Sequence, residues 1–179
     1  MNERSVFHLI AEVTKKEGLP CLLIGGYAVN YYKVSRQTGD VDFLITRKDF
    51  DKISSVLRKA GYKEMIVQDN FAQFESTRIS LQDVDFMFVD EDTLDKILKD
   101  SQKIKLVKKD FLVPSLNHLI ALKLHAIKGS PKLRLIKDLP DIINLIRVNK
   151  IAFEKREFKE LCLKYGTEEI YNRILEALK

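Results

Sequence analysis

Two aspartates separated by one residue, Asp40 and Asp42, are the side chains of this sequence best suited to chemistry. They lead into the apolar run 43–45, and alternation along a strand places both carboxylates on one face. Neighbouring carboxylates repel each other, and a divalent cation relieves that repulsion because Mg²⁺ prefers oxygen ligands of this kind. The pair therefore predicts a metal site. The simpler interpretation, a strand with two solvated aspartates, is disfavoured because the strand is otherwise apolar.

A glycine pair precedes these aspartates. The apolar run Cys21–Ile24 predicts a buried strand, which Gly25 and Gly26 end in a tight turn. Thirteen residues separate Gly26 from Asp40, which is enough for a short helix and a return to the neighbouring strand. Glycines at the beginning of a helix let a phosphate group approach the backbone N–H groups. The stretch therefore predicts a phosphate-binding turn beside the metal site.

The glycine pair, the spacer and the flanked Asp-x-Asp together resemble the signature of the nucleotidyltransferase superfamily related to DNA polymerase beta. The signature is carried here by residues 24–26 and 40–43. The resemblance implies an α/β fold with a small mixed, mostly antiparallel sheet backed by helices. It also implies a third carboxylate on a neighbouring strand. Asp85, in the apolar run 79–89, is the candidate, and Asp83 is the second choice because it shares the same face.

The resemblance implies transfer of a nucleoside monophosphate from a nucleoside triphosphate to an acceptor hydroxyl, with release of pyrophosphate. Two Mg²⁺ ions, with Mn²⁺ as the alternative, are expected at Asp40 and Asp42. Asp85 is expected to bind the ion on the acceptor side and to assist deprotonation of the acceptor. Gly25 and Gly26 are expected to cradle the β- and γ-phosphates.

The segment 119–145 resembles the AbiE-type toxin, or minimal nucleotidyltransferase, branch of this superfamily. The matched positions are Lys123, Ala126, Arg134, Lys137, Asp138 and Asp141. In that branch the Lys and Arg are associated with the triphosphate and the first Asp with activity. Arg36 also fits the branch, because it lies in the lead-in to the metal strand. The nucleotide-binding residues expected from both resemblances are Gly25, Gly26, Arg36, Lys123, Arg134, Lys137 and Asp138.

Lys123 is also conspicuous from its spacing alone. It lies on a stripe with Leu116, Ile120 and Ile127, along a helix expected over 116–128 that is apolar nearly all round. A Lys on such a face costs free energy unless it meets an anion. The alternative is a Lys whose stem packs and whose ammonium group reaches water. If Lys123 binds phosphate, the stripe predicts that Lys123→Met weakens nucleotide binding and leaves the fold intact or more stable.

The acceptor is not specified by these motifs. A tRNA 3′ end or other RNA, a protein hydroxyl and a small antibiotic are all compatible, and the Gly-Gly-x-Ala and Arg-x-Thr-x-Asp-x-Asp runs also resemble lincosamide and aminoglycoside nucleotidyltransferases. Residues 103–137 contain nine Lys and Arg but only Asp110 as an acid, which favours a polyanion. This excess favours the toxin-like branch and hence a cognate antitoxin as a partner. A nucleotide-binding or antitoxin-type protein without turnover is the alternative, and the complete carboxylate set argues against it.

Length and composition set the frame for these motifs. The chain has 179 residues, of which 45% are hydrophobic, so it is long enough for a catalytic core over 1–110 and a helical region over 111–179 that closes the active site. The two cysteines lie in apolar patterns, which predicts reduced thiols and a cytoplasmic protein. No signal peptide and no membrane partner are expected.

Apolar periodicity and turn residues predict the remaining elements. Thr46 and Asp49 form a capping-box pattern at the beginning of one helix. Helices are expected over 3–17, 47–60, 92–101, 116–128, 152–164 and 167–178 and around 139–146, with strands over 63–68, 71–76, 79–89 and 103–107.

Overall fold

The computed structural model describes residues 5–78 and 81–179. Parts of two expected elements, residues 3–4 of the first helix and residues 79–80 of one strand, lie outside the described residues. Within the described part, no helix has both the length and the apolar character needed to span a membrane. The elements in chain order are α1 (Val6–Glu17), β1 (Leu22–Leu23), α2 (Gly25–Tyr31), β2 (Asp40–Thr46), α3 (Arg47–Lys59), β3 (Tyr62–Val67), β4 (Phe71–Ser76), β5 (Asp83–Val89), α4 (Glu91–Lys99), β6 (Gln102–Leu106), β7 (Lys109–Val113), α5 (Leu116–Gly129), α6 (Pro131–Val148), α7 (Arg156–Tyr165) and α8 (Glu168–Leu178).

The chain forms two compact units. The first comprises Met1–Ala28 and Gln37–Ser115, and the second comprises Val29–Arg36 and Leu116–Lys179. The first unit contains the sheet, and the second is built from helices α5 to α8 together with the short segment that follows the middle of α2.

The sheet of the first unit has the strand order β3-β4-β5-β2-β1-β7-β6 among the described residues. The pairs β2–β5 and β1–β7 are parallel, and the other neighbouring pairs are antiparallel. The fold is therefore mixed α/β with a mostly antiparallel sheet, as the sequence predicts.

One face of the central strands packs into an aromatic core. Phe43 on β2 stacks on Phe86 of β5 with ring centroids 5.9 Å apart, and Phe50 of α3 contacts the Phe86 ring edge-on at 5.3 Å. All three rings are at most 2% exposed. Because side chains alternate along a strand, burying this face turns the intervening residues of β2 and β5 to the opposite face.

Side-chain caps fix two helices of this unit. The Thr46 hydroxyl accepts a hydrogen bond from the Asp49 backbone N–H at 3.2 Å, which confirms the predicted cap of α3. The Asp90 carboxylate accepts one from the Thr93 backbone N–H at 2.8 Å at the beginning of α4. This bond lowers the pKa of Asp90.

Two elements differ most from the prediction. Sequence patterns do not predict strand β7, Lys109–Val113, because the turn that precedes it lacks the Gly or Asn that normally marks a tight hairpin. Helix α6 begins at Pro131 and runs through Pro140 to Val148, although its periodic apolar residues suggest a later beginning. Proline is well tolerated at the first position of a helix, where its missing N–H costs nothing.

The second unit has its own apolar core. Cys162 of α7 is fully buried in it, and Gly166, between α7 and α8, lets the chain pass close to α5. A Cβ at Gly166 would lie 2.9 Å from the Cys162 carbonyl oxygen and 3.2 Å from Leu124 Cδ2. Burial raises the pKa of the Cys162 thiol to about 12, so the thiol remains protonated at neutral pH. Both cysteines are free thiols.

Candidate active site

Strands β2 and β5 carry the same four residues, Asp-Val-Asp-Phe, at positions 40–43 and 83–86. The two strands are parallel neighbours and the two copies are in register, so that Asp40 lies opposite Asp83 and Asp42 lies opposite Asp85. The Val and Phe of each copy are buried in the core. The four aspartates therefore project from the opposite face of the sheet.

Three of these aspartates form a compact group. Asp40, Asp42 and Asp85 each offer a carboxylate oxygen, and the three oxygens lie within 4.8 Å of one another. All three residues are half-buried. The structure therefore brings together the three carboxylates that the sequence analysis identified.

The fourth aspartate lies outside this group. Asp83 is exposed, and its Oδ1 accepts a hydrogen bond from the Ser76 backbone N–H at 2.8 Å. This bond directs its carboxylate towards the end of β4. Asp85 is thus the member of the second copy that joins Asp40 and Asp42.

Gly25 comes very close to this carboxylate group. A Cβ built on Gly25 would lie 1.8 Å from Asp42 Oδ2, and the φ of Gly25 is +61°. Only glycine meets both requirements, because other residues avoid positive φ and their Cβ would occupy the place of the carboxylate. The Ile24 backbone N–H donates to the Asp42 carbonyl oxygen at 2.9 Å and holds this turn against β2.

Two neutral side chains that the sequence analysis did not identify hold carboxylates of the group. The Thr38 hydroxyl donates to Asp40 Oδ1 at 2.8 Å, and the Gln73 side-chain amide donates to Asp85 Oδ2 at 3.2 Å. The position of Thr38, two residues before Asp40, is a local signal for the first bond. The second bond depends on the pairing of β4 with β5, which the sequence does not specify.

The second unit contains a buried ionic cluster around Lys123. The Lys123 ammonium donates to Asp138 Oδ1 at 2.8 Å and to Asp141 Oδ2 at 2.7 Å. The three side chains are 5–8% exposed. Lys123 therefore meets anions on the apolar face of α5, which is the first of the two expectations for this residue. Both anions are carboxylates of α6.

Two arginines extend this cluster. Arg36 Nε lies 3.5 Å from Asp141 Oδ2, and Asn30 holds the Arg36 backbone by donating to its carbonyl oxygen at 2.9 Å and accepting from its N–H at 2.8 Å. Arg134 Nη1 lies 3.8 Å from Asp138 Oδ2. That oxygen is buried and has no hydrogen-bond partner among the described residues.

The cluster thus gathers most of the residues of the 119–145 motif, together with Arg36. Lys137, another residue of the motif, is exposed on α6. Three cations face two carboxylates in the cluster, which leaves it with a net positive charge. Such a charge favours an anionic ligand if one reaches it.

Comparison with known proteins places the chain among nucleotidyltransferases. A family model described as "Uncharacterised nucleotidyltransferase" matches residues 5–178. A search of curated proteins gave no significant match.

Solved structures with a similar fold include three proteins of low sequence identity. The antibiotic-resistance factor ANT(2")-Ia, in complex with adenylyl-2"-tobramycin, has a TM-score of 0.65 and 13% identity over 89% of this chain and 94% of its own. An antigenic nucleotidyltransferase-like protein from Paracoccidioides brasiliensis has a TM-score of 0.57 and 15% identity, with coverages of 95% and 88%. The lincosamide antibiotic adenylyltransferase LnuA, with lincomycin bound, has a TM-score of 0.54 and 13% identity, with coverages of 78% and 93%.

Proposed function

The chain belongs to this family of nucleotidyltransferases, and from that premise we propose that it transfers a nucleoside monophosphate from a nucleoside triphosphate to an acceptor hydroxyl, with pyrophosphate as the leaving group. The observation that carries the proposal is the group formed by Asp40, Asp42 and Asp85 on two adjacent parallel strands. Family membership supports the reaction class, and the carboxylates supply the chemistry that this reaction requires.

The carboxylates fit a divalent metal ion. Three hard oxygen ligands within 4.8 Å of one another repel each other when ionised, and Mg²⁺ or Mn²⁺ prefers this kind of donor set. When bound, the metal supplies Lewis-acid activation of the acceptor oxygen and of the phosphate. We assign Asp40 and Asp42 to the binding of two ions and Asp85 to the ion on the acceptor side.

The chain's own groups have further roles in this proposal. Gly25 lets the Asp42 carboxylate lie against the backbone, and Gly26 follows it at the beginning of α2. We assign both glycines to the triphosphate, on the basis of the glycine pair in the sequence motif. Asp85 assists removal of the acceptor proton. In the second unit we assign Arg36, Lys123, Arg134, Lys137 and Asp138 to nucleotide binding, on the basis of the sequence motif and the net positive charge of the cluster.

For the acceptor we propose RNA or protein, as in the AbiE-type toxin branch, and hence a role in a toxin–antitoxin pair. The support is the 119–145 motif and the excess of Lys and Arg over 103–137. The antibiotic complexes of ANT(2")-Ia and LnuA bear only on the fold at 13% identity. An antibiotic acceptor is therefore an outcome to be tested.

The test is incubation of the protein with each α-³²P-labelled nucleoside triphosphate and Mg²⁺, in the presence of total tRNA, cell lysate, tobramycin or lincomycin. Label on RNA or on protein would support the proposal, and label on an antibiotic would identify the alternative acceptor. Label on none of them with any of the four nucleotides would count against turnover. The matched controls are Asp42→Asn, which should abolish transfer, and Asp83→Asn, which changes the second copy of the motif outside the group and should retain it.

A further inference from the structure

Gln73 lies in the same row as two of the carboxylates. It is directly opposite Asp85 in the antiparallel pair β4–β5, and Asp85 is directly opposite Asp42 in the parallel pair β5–β2. Its neighbours Ala72 and Phe74 are at most 1% exposed, so alternation turns Gln73 to the carboxylate face. The row Gln73, Asp85, Asp42 thus crosses three adjacent strands.

The hydrogen bond between Gln73 and Asp85 has a defined direction. The Gln73 Nε2 donates to Asp85 Oδ2 at 3.2 Å. An ionised carboxylate only accepts hydrogen bonds, so the amide of Gln73 must present its NH₂ group to Asp85. A hydrogen bond to a charged acceptor is stronger than one between neutral groups.

We propose that Gln73 is a positioning residue that holds the Asp85 carboxylate in the orientation required for metal binding. The inference rests on the proposed function of the carboxylate group. The terminal torsion of an Asp side chain is broad, and repulsion from Asp40 and Asp42 favours rotation of the Asp85 carboxylate away from them. A fixed amide donor on the neighbouring strand opposes that rotation. Carboxylates that bind metals are commonly oriented by such partners, whose loss weakens metal binding.

A different role for Gln73 predicts a different result. If Gln73 only provides a polar surface on the sheet, its replacement changes stability slightly and leaves metal affinity unchanged. Metal affinity separates the two roles, because only the positioning role predicts that it changes. Its measurement requires neither the nucleotide nor the acceptor.

The experiment compares Mn²⁺ binding by the full-length wild type and by Gln73→Met, which keeps the length of the side chain and removes the donor. Free Mn²⁺ is measured by electron paramagnetic resonance, and thermal unfolding without metal checks that the variant is folded. We expect about a 10- to 100-fold weaker affinity. The matched control is Gln102→Met on β6, where Gln102 is exposed, and its affinity should equal that of the wild type. An affinity of Gln73→Met within twofold of the wild type, or tighter, would overturn the inference.

A second comparison tests whether Gln73 acts through Asp85. In an Asp85→Ala background, adding Gln73→Met should change Mn²⁺ affinity less than twofold, because the group that Gln73 positions is gone. If Gln73→Met weakens Mn²⁺ binding in that background as much as it does in the wild type, Gln73 acts in another way and the inference is overturned. If the wild type itself binds no Mn²⁺, the proposed metal site fails as well. If the wild type binds Mn²⁺ and Gln73→Met binds it equally, only the role of Gln73 fails.

Discussion

At the scale of single residues, the carboxylate group is expected to cost stability when no metal is bound. Asp40, Asp42 and Asp85 each offer a carboxylate oxygen within 4.8 Å of the other two, and like charges at this distance repel one another. Because Asn is nearly isosteric and neutral, Asp42→Asn should relieve part of this repulsion.

We therefore predict that Asp42→Asn without metal melts at the same temperature as the wild type or higher, although it loses transfer. The measurement is thermal unfolding in EDTA, followed by circular dichroism. If Asp42 has a structural role, the result should be the reverse. The free energy of unfolding of Asp42→Asn should then fall by about 1–3 kcal/mol, because charge-assisted hydrogen bonds are lost, and transfer should be retained.

Lys123 shows how a contact reverses an expectation drawn from a pattern. The apolar stripe alone predicts that Met is accepted at this position, but the structure places two aspartates, Asp138 and Asp141, on the ammonium group. Removing the Lys would leave both carboxylates buried without their main partner.

We predict that Lys123→Met destabilises the protein by about 3–5 kcal/mol, the usual cost of removing one member of a buried ion pair. Urea unfolding at neutral pH measures it. The triple variant Lys123→Met, Asp138→Asn, Asp141→Asn should recover part of the loss because no buried charge of the original trio remains. A single Lys123→Met variant as stable as the wild type would contradict the strength of this ionic cluster.

At the scale of elements, the turn between β1 and α2 determines how Asp42 is placed. Gly25 has positive φ and lies where a Cβ would overlap Asp42 Oδ2, whereas a Cβ on Gly39 would meet nothing within 4 Å. Gly39 directly precedes Asp40 and is thus a matched control.

We predict that Gly25→Ala displaces Asp42, weakens Mn²⁺ binding at least tenfold and costs more than about 1 kcal/mol, since the left-handed conformation alone costs roughly that much. Gly39→Ala should leave metal binding unchanged. Mn²⁺ titration and urea unfolding of both variants provide the comparison. Equal Mn²⁺ affinities and equal free energies of unfolding for the two variants would contradict the close approach of Gly25 to Asp42.

Strand β7 of the β6–β7 hairpin is the element that sequence patterns missed. Its two-residue loop, Val107-Lys108, connects the paired residues Leu106 and Lys109, and both loop residues have positive φ, 48° and 60°. A loop of this kind normally carries Asn-Gly, so Val and Lys at these positions do not predict the turn.

The same feature predicts a stabilising change. Replacing Val107-Lys108 by Asn-Gly removes a β-branched residue from an unfavourable conformation and should increase the free energy of unfolding by about 1 kcal/mol. Urea unfolding is again the measurement. A loss of stability would indicate that the exposed Val107 side chain, 52% accessible, contributes more than the backbone strain costs.

At the scale of the whole molecule, the sequence was most informative where a signal is local. The Asp-x-Asp spacing, the glycine pair and the Thr46 cap depend on neighbours in the chain, and the structure contains the corresponding strand, turn and helix. The pairing of Arg36 with Asp141 joins residues that are far apart in the sequence. The contact of Gln73 with Asp85 depends on strand register. Such contacts follow from tertiary structure, which a single sequence does not encode in any local pattern.

The last prediction concerns the stability of the whole molecule as a measure of ligand binding. A ligand that binds only the native state stabilises it by mass action, by about 2.7 kcal/mol at one hundred times its dissociation constant. We predict that the melting temperatures of the wild type and of Asp83→Asn rise with Mg²⁺ concentration until the increase saturates. A nucleoside triphosphate added with Mg²⁺ should raise both melting temperatures further. Asp42→Asn should lose the Mg²⁺ response. An equal shift in Asp42→Asn would mean that Mg²⁺ acts by general screening of charge, and the carboxylate group would then not be the binding site.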